Sequence, residues 1–114
     1  MDPAAVDKQH QTYALFNAQL KAEMKALITP ELIEEYRRKP LGRHSDALER
    51  VLNFFRRPAA YALYSPVAFR EWRLIRLPID PAAPPMPIDD TVYRSESEAY
   101  HALFLRNVND LMAS

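Results

Sequence analysis

The chain has 114 residues, 48% hydrophobic and 26% charged, with 15 basic residues balanced by 15 acidic ones. That describes a single small globular domain, 1–114, with a modest core and no net charge to draw it to a nucleic-acid backbone. The absence of cysteine excludes disulfides, thiolate nucleophiles and cysteine metal sites, and one glycine against ten prolines leaves no glycine-rich phosphate loop.

At the start, Asp2-Pro3 reads as an N-cap with proline at the first helical position, and the helix runs to about Leu27. Val6, Tyr13, Phe16, Leu20, Met24 and Leu27 form its apolar face at helical spacing. Thr29-Pro30 repeats the cap-plus-proline signal for a second helix. Its acidic residues, Glu31, Glu34 and Glu35, come early and Arg37, Arg38 and Lys39 late, which suits the helix dipole; Pro40 stops it. A turn around Gly42 leads to Ser45, the expected cap of a third helix whose buried face is Leu48, Val51, Leu52 and Phe55, and which Pro58 ends.

The next segment changes character. Tyr61-Ala-Leu-Tyr64 is short, aromatic and strand-like, and Trp72-Arg-Leu-Ile-Arg-Leu77 reads as a second strand. Between them Ser65-Pro66 again looks like a cap and first helical position, here for about one turn. Two short strands are marginal alone, so the pair needs covering by helices or by a partner. Residues 78–90 hold five prolines in thirteen residues and read as an extended surface connector. Ser95 and Glu98 form a capping box that opens the last helix, whose apolar face is Ala99, Leu103, Phe104, Val108 and Leu111, widened by Tyr100 and Met112. The expected fold is α+β, mainly helical, with about four helices and a short antiparallel β-hairpin.

Candidate chemistry is sparse. His10, His44 and His101 lie on separate segments with no metal-ligand or paired-carboxylate spacing. His44 is expected to order the turn before the third helix, and His101 to be a partly buried histidine bonded to a neighbour. Ser45, Ser65 and Ser95 all sit where serine caps a helix, and there is no nucleophile elbow. No apolar run approaches the roughly 18 residues of a membrane span. The first ten residues lack the regions of a signal peptide, so a cytoplasmic protein with no membrane partner is expected.

Charge is unevenly placed. Residues 37–76 hold ten basic and three acidic residues, and eleven of the chain's fifteen basic residues are arginine. Arginine interleaved with Tyr and Trp suits a protein interface, whose anchors are those residue types. It also leaves open a small nucleic-acid-binding or regulatory domain using the basic segment 37–76. The twelve aromatics, many for this length, add to the case for a partner surface.

Three blocks together carry a resemblance: RHSDALERVLNFFRR (43–57), YALYSPVAFREWRLIRL (61–77) and SESEAYHALFLR (95–106). In this order they resemble the small subunit of N,N-dimethylformamidase, over about two-thirds of the chain. The proline-rich 78–90 segment departs from the family's more charged, glycine-containing connector, and Phe69 and Trp72 stand where tryptophan and tyrosine are expected. The resemblance implies a non-catalytic subunit that covers and stabilises a large subunit in a hetero-oligomer, further dimerised. The enzyme hydrolyses N,N-dimethylformamide to dimethylamine and formate. It also implies that iron, held by tyrosine and glutamate, belongs to the large subunit, so no cofactor, metal or catalytic residue is expected on this chain. The aromatic, arginine-rich strand pair and the matching blocks single out Tyr61, Tyr64, Phe69, Trp72, Arg73 and Arg76 as the residues expected to touch that partner.

Overall fold

A side chain placed just before the helix starts three of the chain's helices. In the computed structural model, which describes residues 3–57 and 59–114 and side chains from residue 11 onward, four helices and a three-stranded antiparallel sheet form among the described residues. The first helix, α1, is Pro3–Leu27; the cap expected at Asp2 and the side chains of Val6 and His10 lie outside the described residues. Thr29 accepts the Leu32 amide at 3.1 Å and Pro30 opens α2, Pro30–Arg38. Lys39, forced out of the helical region by the ring of Pro40, ends it at φ −146°.

Gly42 takes φ +108° in the following turn, a conformation open to glycine and strained for other residues. His44 crosses this turn, as expected. Its Nε2 lies 2.7 Å from the Lys39 carbonyl and its Nδ1 3.2 Å from Glu49, which ties the end of α2 to α3, Asp46–Phe55. Ser45 accepts the Leu48 amide at 3.3 Å, and its own hydroxyl and amide donate to the two oxygens of Glu35, both at 2.7 Å. The helix stops at Phe55; Pro58 lies outside the described residues.

The last helix, α4 (Glu96–Ala113), begins at Ser95, which accepts the Glu98 amide. It is the central element. Phe104, Val108 and Leu111 pack with Met24 of α1, Leu32 and Tyr36 of α2, and Leu48, Val51 and Leu52 of α3. Tyr36 stacks on Phe104 at 4.4 Å between ring centroids, and Phe55 meets the same ring edge-on at 5.9 Å. Phe104 is 2% exposed, so its burial alone contributes about 1.5–3 kcal/mol.

The sheet packs against α4. Strand β1 (Tyr61–Val67) pairs antiparallel with β2 (Glu71–Arg76), placing Tyr61 opposite Arg76 and Tyr64 opposite Arg73. The helical turn expected at Ser65-Pro66 is not there: β1 runs through both residues. The register shifts between Tyr64 and Val67, so they form a β-bulge. A bulge tolerates a residue without an amide hydrogen, and proline is at home in one. The connector also does more than link. Met86–Pro87 forms a third strand, β3, paired with Ile75 and Arg76 of β2, and Tyr93 exchanges two 2.8 Å backbone hydrogen bonds with Trp72.

Candidate partner-binding surface

Antiparallel partners share a face and residues two apart along a strand share it too. One face of the sheet therefore carries Tyr61, Leu63, Trp72, Leu74 and Arg76, the other Ala62, Tyr64, Arg73 and Ile75. The first face is turned to α4, where Tyr61 and Leu74 are buried. The six expected contact residues are thus divided. Tyr61 is used inside the chain: its hydroxyl donates to Asp110 of α4, and the guanidinium groups of Arg76 and Arg106 lie 5.8 and 5.7 Å from its ring centroid. Trp72 is half-buried beside Tyr93, and Arg76 is exposed at the rim of the same face. Tyr64 and Arg73 stand together on the outer face, Tyr64 exposed and Arg73 half-buried.

Phe69 is elsewhere, at the end of the hairpin. The turn is closed by the Arg70 amide donating to the Val67 carbonyl at 3.1 Å. Phe69 sits in it at φ +63° and is 90% exposed. Ser65, not a helix cap, places its hydroxyl 2.7 Å from the Glu71 carbonyl and 3.0 Å from that of Val67, bracing the neck of the hairpin.

A second exposed apolar surface was not singled out by sequence. The face of α1 splits: Met24 is in the core and Leu20 and Leu27 pack against it, while Tyr13, Leu15 and Phe16 stay exposed. The signal was length. At 1.5 Å per residue the 25-residue α1 spans about 37 Å, beyond the reach of the 9- and 10-residue helices that meet it. A groove of about 380 Å³, lined by Tyr13, Leu20, Phe54, Phe55 and Leu111 among others, opens beside it.

At the start of the basic segment two arginines are paired with a glutamate of their own helix. Arg37 makes two hydrogen bonds to Glu34, at 2.5 and 2.7 Å, and Arg38 a third at 3.3 Å. The Arg37 hydrogen bonds pull the Glu34 carboxyl down to about 2. Hydrogen bonds from Ser45 likewise lower Glu35. Glu34, Glu35, Arg38, Arg43 and His44 line a charged hollow of about 560 Å³ between α2 and the Gly42 turn.

The hydroxyls of Ser45, Ser65 and Ser95 all serve backbone or capping roles. Among the described residues no three His, Asp or Glu side chains come together as a metal site, and no helix is long and apolar enough to cross a membrane. His101 departs from expectation: it is half-buried, but its Nδ1 has no hydrogen-bond partner among the described residues. Burial, with Arg37 nearby, holds its imidazole below the usual histidine value.

Comparison with known proteins gives a consistent result. The sequence pattern of the N,N-dimethylformamidase alpha subunit family matches residues 11–114. The N,N-dimethylformamidase alpha subunit of Alcaligenes sp is 32% identical over 113 residues, taking in 94% of this chain and 86% of that protein. That of Paracoccus aminophilus is 32% identical over 117 residues, with 96% and 83% covered.

Proposed function

The chain belongs to the N,N-dimethylformamidase alpha subunit family, and on that footing we propose that it is the non-catalytic subunit of an amide hydrolase. It covers and stabilises a larger subunit that holds the iron and cleaves the amide. The observation that carries this reading is the hairpin, which packs one face on α4 and presents Tyr64, Arg73 and an exposed Phe69 away from it. Exposed aromatics beside arginine are the usual anchors of a protein interface.

In this assembly the chain's own residues position and shield. Tyr64 and Arg73 meet the larger subunit across the outer sheet face, while α4 holds the sheet from behind. The test is to recover the tagged chain from its host and measure native mass, iron and hydrolysis of N,N-dimethylformamide. A complex with a much larger chain, containing iron and active on the amide, is the expected result. A lone chain of its own mass, with the activity found elsewhere, would overturn the proposal. The double variant Tyr64→Ala/Arg73→Ala is expected to weaken assembly about tenfold or more, read by titration of one subunit with the other.

A further inference from the structure

We infer that Phe69 is the principal anchor of this chain in its larger partner subunit, seated in an apolar pocket whose rim is acidic. This rests on the subunit reading above and names the residue and the chemistry of the surface that receives it. Three observations bear on it independently.

First, Phe69 holds φ +63°, where its bulk is disfavoured and glycine or asparagine would sit without that cost. Second, the strain is not repaid inside the chain, because the residue is 90% exposed. Strained conformations persist where the surroundings over-determine them, and they gather at binding and catalytic sites. Third, the surroundings do over-determine this one. The Ser65 hydroxyl bonds across the hairpin neck, the Ser65-Pro66 bulge sets its bend, and the Arg70 amide closes the turn. A ring held out on a braced turn loses little freedom on binding, which is what an efficient anchor requires.

The charge of the hairpin selects the receiving surface. Apart from Arg76, which lies at the base of the hairpin over the Tyr61 ring, the tip and its outer face carry Arg70 and Arg73 against a single Glu71. A second copy docking tip to tip would bring these arginines together, so self-association is disfavoured. A protein pocket with carboxylates at its rim satisfies both the ring and the cations.

The test uses the full chain and the larger subunit with two variants, Phe69→Gly and Phe69→Asn, each compatible with positive φ. The isolated variants are expected to melt a few degrees higher than wild type, because the strain is relieved. Their affinity for the larger subunit is expected to fall about 30-fold or more. Raising salt should weaken the wild-type complex further. Variants that bind as tightly as wild type overturn the inference while leaving the subunit reading in place. Variants that melt lower than wild type also overturn it, because the strain argument fails. If the wild-type chain binds no larger subunit, the subunit reading itself fails. Phe69-dependent self-association, or Phe69-dependent binding to single-stranded DNA at low salt, would likewise overturn the anchor.

Discussion

Tyr61 joins two layers of the molecule through one side chain. It leaves β1, crosses to α4, and ends in a hydrogen bond to the Asp110 carboxylate, with Arg76 and Arg106 beside its ring. Phenylalanine would keep the ring, the burial and both arginine contacts and lose only the hydroxyl. A hydrogen bond to a carboxylate in a partly buried setting is worth about 1–2 kcal/mol, so Tyr61→Phe is expected to lower the unfolding free energy by that amount in urea titration. An unchanged midpoint would mean that water replaces the bond at no cost. Tyr61 was expected to face a partner, and its residue type offered no way to tell the two roles apart. An aromatic with one polar end suits an interface and equally suits a sheet–helix seam, and the decision depends on an aspartate forty-nine positions away.

Among the elements, α2 and α4 are locked by Tyr36 against Phe104. Burial raises the Tyr36 phenol to about 12, with Tyr100 adding to the shift and Arg56 opposing it. The unfolded chain ionises this group near 10 and the folded one does not. Its contribution to stability is therefore complete below pH 10 and is lost as the pH rises toward 12. Urea midpoints should fall across that interval, and Tyr36→Phe should flatten the fall, leaving a part that Tyr93, also raised by burial, can supply. The helices were legible because their signals are local: Thr29, Ser45 and Ser95 each cap the next residues of their own segment. Ser65-Pro66 carries the same two-letter signal and forms a bulge instead. What decides it is the pairing of Val67 with Glu71 and the Ser65 hydroxyl on the Glu71 carbonyl, cross-strand contacts that the cap signal does not contain. β3 was hidden for a related reason, since proline-rich sequence argues against a strand except at an edge. The positive φ of Phe69 was invisible too, because aromatic residues do not announce that conformation.

The whole molecule is extended, with principal dimensions of 55 × 37 × 23 Å and a radius of gyration of 16.8 Å, against about 13 Å for a compact chain of this size. The exposed Tyr13, Leu15 and Phe16 of α1 and the hairpin present apolar surface that a self-sufficient domain of this length would bury. The order of the sheet, β1-β2-β3, has a consequence for the time before any partner arrives. Both outer strands contain a proline, Pro66 in β1 and Pro87 in β3, while the middle strand has none. A newly made copy with greasy patches in view is in danger of zipping onto its siblings into fibres, strand upon strand. Each outer strand therefore lacks one backbone amide hydrogen. Pro66→Thr restores that hydrogen, and the variant chain, kept without its partner, is expected to raise thioflavin T fluorescence sooner than wild type. An equal lag would show that some other feature keeps the orphan subunit dispersed.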